Sequence, residues 1–227
     1  MKNWSIIFDL DGTLIDTVPD VCGALNRTLT KYGRHPHTVD EVKDYMGRGA
    51  RVTRERALGL TGNVPSDEMI DRLTAEFLAD YAKNPIVDST LYPYVLDALS
   101  QLRASGASLA VCTNKPSVTA YPVLAAFDID KVFDAIICGD EAVDCKPNGN
   151  HILETIAKAG GNPSKSIMVG DSENDIDAAI DAGVPSVLVT FGYPHAPHQE
   201  LGASIIIDHY EDLIGSVATL IAASETI

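Results

Sequence analysis

Positive charge is scarce in this 227-residue chain relative to negative. It carries 17 Lys and Arg against 32 Asp and Glu, a formal net charge of −15. A surface of that sign repels nucleic acid phosphates and anionic membranes, so neither is an expected partner. Long apolar runs are missing too. No stretch approaches the roughly 18 apolar residues of a bilayer span, and the N-terminus offers one lysine and a short apolar run before Asp9, which does not read as a signal peptide. Cysteine is sparse: Cys22, Cys112, Cys138 and Cys145 lie far apart and form no C-x-x-C pair. Cys112 and Cys138 sit inside apolar runs, the usual place of a reduced cysteine acting as a small hydrophobe. Internal repeats and low-complexity tracts are also absent. Together these absences lead us to expect a cytoplasmic protein.

What is present is ordinary globular material. With 45% hydrophobic and 22% charged residues the chain can bury a core, and its length suits one large domain or a core plus a modest second module. Short runs rich in Ile, Val and Ala recur at Ser5–Leu10, Ser108–Cys112, Ala135–Cys138, Ser166–Val169, Ser186–Val189 and Ser204–Ile207. Most are apolar at consecutive positions, as buried parallel strands are. Helical patterns lie between them. In "VLDALSQLRASG" we expect Val95, Leu96, Leu99 and Leu102 on one stripe and Gly106 as C-cap, and in "NHILETIAKAGG" Ile152, Leu153 and Ile156 inward with Gly160 and Gly161 as the stop. Such alternation predicts a doubly wound, mainly parallel α/β sheet. Residues 17–89 break the rhythm with amphipathic stretches at Val18–Lys31 and Ser66–Lys83 and no convincing strand. That is too much chain for one crossover, so a helical module inserted into a core of residues 1–16 and 90–227 is expected.

Three strand ends carry clusters of functional groups: Asp9-Leu10-Asp11, Thr113-Asn114, and Gly170-Asp171-Ser172-Glu173-Asn174-Asp175. Lys146 follows a further strand in the loop "CKPNG". Each has an ordinary reading. The first can be a turn with an N-cap, Thr113 a buried strand-end hydroxyl, Lys146 a solvated charge, and Asp171 to Asp175 a helix start with acids against the dipole. Jointly those readings are poor, because separate strand ends would all have to place polar groups at one rim by chance. In open parallel sheets that rim is where ligands bind.

The order D-x-D-G-T-L-x-D, strand-T-N, K-P, G-D-S-x-N-D resembles the haloacid dehalogenase superfamily over essentially the whole chain. Within it, "FDLDGTLIDT", "MGRGARVTRERAL" and "GDSENDIDAA" look most like the bacterial phosphoglycolate phosphatase group. Two positions depart from the pattern: Gly149 stands where proline is common and Tyr94 where glycine is common. The resemblance implies an α/β core with residues 17–89 as its helical cap. It implies Asp9 as a nucleophile that forms an aspartyl-phosphate, and Asp11 as general acid and then base. Thr113 would offer its hydroxyl and Asn114 a backbone N–H to the phosphoryl oxygens, and Lys146 a positive charge. Asp9, Asp11, Asp171 and Asp175 then total −4 against the +1 of Lys146, before a phosphate dianion arrives. A divalent cation would offset this, and Mg²⁺ fits oxygen ligands of this kind. The family places it on the Asp9 side chain, the Asp11 carbonyl and Asp171, with Asp175 in support. The expected reaction is hydrolysis of a small phosphorylated metabolite, 2-phosphoglycolate first, by a monomer or homodimer. Alternatives are another small phosphoester or pyrophosphate, a sugar-phosphate mutase built on the same core, or a non-catalytic binding protein, which would be expected to have lost part of the motif set.

Arg48, Arg51, Arg54 and Arg56 place half of the chain's eight arginines in nine residues. An exposed, partly ion-paired helix accounts for most of them, but a cap must grip the far end of the substrate, and arginine binds carboxylates in a bidentate fashion. Arg48, between glycines, is the expected contact. His195 and His198 share H-x-x-H spacing, but the proline between them argues for a surface loop over a metal pair.

Overall fold

Ile6 and Phe8 pack on one side of strand β1 (Ser5–Phe8) and Ile7 on the other, and all three are buried. This two-sided burial explains why the run is apolar at consecutive positions. In the computed structural model, which describes residues 1–46 and 66–225, β1 lies inside a six-stranded sheet. Its partners are β4 (Ser108–Thr113), β5 (Ala135–Cys138), β6 (Ser166–Gly170), β7 (Ser186–Val189) and β8 (Ile205–Ile207). The order is β5-β4-β1-β6-β7-β8 and each neighbouring pair is parallel. The chain winds outward from β1 in both directions, the doubly wound arrangement expected.

The helices of the core, taken in chain order after the three among the described residues of 17–89, are α4 (Val95–Ala104), α5 (Ser117–Ala126), α6 (Asn150–Lys158), α7 (Glu173–Asp181) and α8 (Leu213–Ser224). Ile152 and Ile156 of α6 and Ala178 and Ala179 of α7 join Ile7, Ala110, Cys112 and Met168 beneath one face of the sheet. Residues of α4, α5 and α8 cover the other face. Two expectations for inward positions need correction. Leu96 is exposed, and α4 instead buries Val95, Ala98, Leu99 and Leu102, because the next turn places Ala98 rather than Leu96 over the sheet. Leu153 is only half-buried, while His151 and Thr155 point inward beside Ile152 and Ile156. Gly106 does end α4, with a φ of 84° that suits glycine after a helix.

Residues 17–89 contribute α1 (Val18–Lys31), α2 (Val39–Lys43) and α3 (Asp67–Lys83). Val18, Leu25 and Leu29 of α1 and Ile70, Leu73 and Phe77 of α3 form one apolar layer, and Arg27 pairs with Asp80 across these helices at 2.7 Å. The segment enters through β2 (Ile15–Asp16) and returns through β3 (Thr90–Leu91), which pair antiparallel as Ile15↔Leu91 and Asp16↔Thr90. Neither short strand was expected from the sequence; two residues are too few to show a period. The carboxylate of Asp20 fixes the return path by accepting from the backbone N–H groups of Val87, Asp88 and Ser89 and from the Ser89 hydroxyl. Burial pushes its pKa up, but these donors outweigh it and hold Asp20 below the usual carboxylate range.

Both departures from the family pattern have a structural counterpart. Tyr94 takes a left-handed φ of 66°, the region glycine adopts without strain. Gly149 donates its N–H to Asp181 at 2.8 Å, a bond that proline cannot make, and a Cβ there would lie 2.5 Å from the Ala182 nitrogen.

Candidate active site

The C-terminal ends of β4, β1 and β6 are neighbours, so Thr113, Asp9 and Asp171 meet at one rim without any long-range rearrangement. Asp9 continues the ladder by donating its N–H to the Val169 carbonyl at 3.0 Å. Asp175 comes from the first turn of α7, where Ser172 caps the helix. Its Oδ2 accepts from the N–H groups of Asp171 and Ser172 and from the Ser172 hydroxyl. Carboxylate oxygens of Asp9, Asp171 and Asp175 lie within 4.8 Å of one another, all on buried or nearly buried side chains.

Lys146 is the counter-charge. Its Nζ reaches Asp175 Oδ1 at 2.6 Å, Asp9 Oδ1 at 2.9 Å and the Cys112 carbonyl at 2.7 Å. Burial disfavours its charge, but Asp175 and Asp9 raise its pKa well above the usual range and hold it as an ammonium. The carboxylates respond in the opposite sense. Burial raises Asp9 to about 7, opposed by Lys146 and reinforced by Asp175 and Asp11. Burial, then Asp175 and Asp9, push Asp171 well above the carboxylate range, against the N–H of Tyr193 and the hydroxyl of Thr13. One lysine does not satisfy this cluster. Asp9 Oδ1 is buried and, despite its proximity to Lys146, has no hydrogen-bond partner. A side chain at Gly12 or Gly192 would fill the space beside Asp171, with a Cβ within 2.4 Å and 2.3 Å of its Oδ2. Crowded carboxylates, an orphaned oxygen and glycine-lined space fit a bound cation.

Asp11 is turned to different partners. Its Oδ1 accepts from the Thr17 hydroxyl at 2.6 Å, and Lys115 Nζ contacts Oδ1 at 2.9 Å and Oδ2 at 3.2 Å. The same ammonium donates to the Tyr81 hydroxyl of α3 at 3.1 Å and lies 4.5 Å above that ring. Burial works against the charge of Lys115, while Asp11 and Tyr81 raise its pKa well above the ordinary range. Thr113 is buried, and its Oγ1 accepts the N–H of Lys115 at 3.2 Å. The Asn114 side chain brackets the backbone of Lys146, donating to its carbonyl at 2.8 Å and accepting its N–H at 3.1 Å. A pocket over these groups is also lined by Val21, Met46, Phe77, Leu78 and Tyr81 from the 17–89 segment.

The structure therefore brings together Asp9, Asp11, Thr113, Asn114, Lys146, Asp171 and Asp175. Arg48, with Arg51, Arg54 and Arg56, lies outside the described residues. His195 does not pair with His198; its Nδ1 meets Glu173 at 2.8 Å and its Nε2 the Asp44 carbonyl at 3.2 Å, joining the core to the helical segment. Sequence reasoning missed Lys115, Tyr81, Thr13, Thr17 and Tyr193. Lys115 had a signal, since it directly follows Thr113-Asn114 at a strand end. Tyr193 had none, because its role depends on a loop after β7 folding back over β1.

The haloacid dehalogenase-like hydrolase family model matches residues 6–189. A phosphoglycolate phosphatase of Agrobacterium fabrum is 44% identical over 91% of this chain and 89% of its own length. One from Caulobacter vibrioides is 39% identical over 96% of this chain and 92% of its own. The crystal structure of a predicted phosphoglycolate phosphatase from Haemophilus somnus superposes with a TM-score of 0.89 at 32% identity, covering 95% of this chain and 99% of that one.

Proposed function

Because the chain belongs to the haloacid dehalogenase-like hydrolase family and is a phosphoric monoester hydrolase, we propose that its substrate is 2-phosphoglycolate, cleaved to glycolate and phosphate with Asp9 as nucleophile. The observation that carries this reading is the clustering of Asp9, Asp171 and Asp175, with Lys146 ion-paired to Asp9 and Asp175 and an Asp9 oxygen that accepts no hydrogen bond, in one pocket with Asp11 and Thr113. The names of the relatives from Agrobacterium and Caulobacter support the substrate.

In the proposed reaction an Asp9 oxygen forms a bond to phosphorus as the bond from phosphorus to the ester oxygen breaks. Asp11 delivers its proton to that departing oxygen. Water then attacks the aspartyl-phosphate and gives its proton to Asp11, and phosphate leaves with Asp9 restored. Thr113 Oγ1 and the Asn114 N–H would hold phosphoryl oxygens. Lys146, fixed by Asp175, would offset their charge. Asp9, the Asp11 carbonyl and Asp171 would hold Mg²⁺, with Asp175 in support, and the ion would supply the positive charge that lets a phosphate dianion enter an acidic site. Residues 17–89 would act as the cap, with Arg48 a further contact for the substrate. Reduced Cys22, Cys112 and Cys138, all buried and unpaired, support a cytoplasmic setting, and no described helix is long and apolar enough to cross a membrane. A monomer or homodimer completes the reading, with no nucleic acid or membrane partner.

Hydrolysis of a panel of small phosphoesters with Mg²⁺ by the parent and by Asp9→Asn tests it. We expect phosphoglycolate to lead the panel and Asp9→Asn to form no phosphoenzyme and no product. Near-normal turnover by Asp9→Asn would sink the mechanism, and a poor rate on phosphoglycolate would sink the substrate alone.

A further inference from the structure

We infer that Lys115 and Tyr81 together receive the carboxylate of the substrate and so set the specificity for a two-carbon acid ester. The inference rests on the phosphoglycolate reading and assigns it residues. Among the described residues, Lys115 and Lys146 are the cations that line the pocket. Lys146 donates to Asp175 Oδ1 and to the Cys112 carbonyl and ion-pairs with Asp9 Oδ1 at 2.9 Å. It is committed to the phosphoryl side. Lys115 is placed differently: it is 7% exposed, faces the pocket, and spends two contacts on one Asp11 carboxylate, the longer being 3.2 Å. An incoming carboxylate can take over that longer contact without stripping Asp11 of the other.

The reach agrees. A general acid must touch the ester oxygen, so in the proposed reaction Asp11 lies about 3 Å from it. In phosphoglycolate the carboxylate carbon is only two bonds from that same oxygen. Lys115 Nζ is 2.9 Å from Asp11 Oδ1, so a carboxylate on that side of the ester oxygen falls within hydrogen-bond distance of the ammonium. Tyr81 of α3 adds a second donor next to the ammonium. Its hydroxyl accepts from Lys115 at 3.1 Å and still has its own proton to give. Burial, which raises the phenol pKa, keeps that proton in place. The remaining described lining from 17–89 (Val21, Met46, Phe77 and Leu78) is apolar and would hold no anion. A core cation and a donor from the helical segment thus converge on one small volume. An alkyl phosphate of the same length, which has no carboxylate, would leave the pair without an anionic ligand.

The test compares kcat/KM for 2-phosphoglycolate and for ethyl phosphate in the parent, Lys115→Gln and Tyr81→Phe. Loss of Lys115 also disturbs Asp11, so both esters should suffer. The expected signature is a fall of about ten- to a hundredfold in the ratio of phosphoglycolate to ethyl phosphate, carried mainly by KM, as for a lost charge-assisted hydrogen bond. Tyr81→Phe keeps the ring, and so the packing, and should lower the same ratio by about two- to tenfold. Equal losses on both esters in both variants, in a parent that prefers phosphoglycolate, overturn this assignment and leave the substrate reading standing. A parent that hydrolyses the two esters equally well overturns both.

Discussion

The backbone N–H of Tyr193 donates to Asp171 Oδ2 at 2.7 Å, so a residue of the β7–β8 connection holds one of the three clustered acids in place. The side chain of the same residue serves the entrance to the helical segment. Its hydroxyl takes the N–H groups of Thr17 and Val18 at 3.0 Å and 3.4 Å and donates to Asp16. Tyr193→Phe separates these roles. It should cost about 1–3 kcal/mol of stability, because buried backbone donors lose their acceptor, while the half-saturating Mg²⁺ concentration stays as in the parent, since the contact to Asp171 is main-chain. Denaturant unfolding and metal titration of activity measure the two effects separately. A matching rise in the metal requirement would show that the phenol also orients Asp171.

Thr13 offers a direct probe of the cation reading. Its hydroxyl donates to Asp171 Oδ1 at 2.7 Å, the kind of outer contact whose loss weakens metal binding about ten- to a hundredfold. Thr13→Val should raise the Mg²⁺ needed for half-maximal activity by that factor, with most of the turnover recovered at saturation. In the parent, chelation should abolish activity, Mg²⁺ should restore it, and Ca²⁺, with its larger and looser coordination shell, should support little. Full activity after exhaustive chelation would remove the case for a cation.

Acid stability should report on His151. Burial, aided by the charge of Lys146, lowers its pKa to about 4 from the ordinary 6.5. Between those values the unfolded chain binds a proton that the fold refuses, so stability falls as pH falls through this window and the contribution is constant above it. In His151→Leu the melting temperature should decline less steeply from pH 6.5 to 4.5 than in the parent. Identical slopes would show that His151 charges inside the fold or that carboxylates dominate the window.

Tyr94 is half exposed and sits at a left-handed φ of 66° just before α4. Such a conformation costs a residue with a Cβ about 1–2 kcal/mol. Tyr94→Gly should therefore stabilise the protein by about 1 kcal/mol, less than the full strain because glycine leaves more freedom in the unfolded chain. Calorimetry would read this as a rise in Tm, and a fall would mean that contacts of the tyrosine ring outweigh the backbone strain.

The strands were legible because burial on both faces leaves a run such as Ile6-Ile7-Phe8 that few other structures need. The acids at the rim were legible for the opposite reason: polar groups at a strand end have no packing role to explain them. Leu96 was misplaced because a short helix whose apolar residues cover more than one stripe has two adjacent faces that suit the same pattern, and only the sheet beneath decides between them. Lys115 was passed over for Lys146 since each is a lone lysine in a loop. Its pairing with Asp11 and Tyr81 joins positions 104 and 34 residues apart and exists only once β4 and α3 are in place. The ribbon of Ile15↔Leu91 and Asp16↔Thr90 was hidden by its brevity.

That ribbon also bears on how such a chain can change over generations. Paired antiparallel strands hold facing Cα atoms about 5 Å apart, so the excursion from Asp16 to Thr90 departs and returns almost at one point. Seen from the sheet it is a bracketed phrase, and a longer, shorter or differently folded phrase can be set in the same brackets without re-threading a single parallel strand. On the proposed reading, a change in what the enzyme accepts is thereby uncoupled from the carboxylates assigned to bond cleavage, except where Lys115 and Tyr81 reach across the bracket to touch.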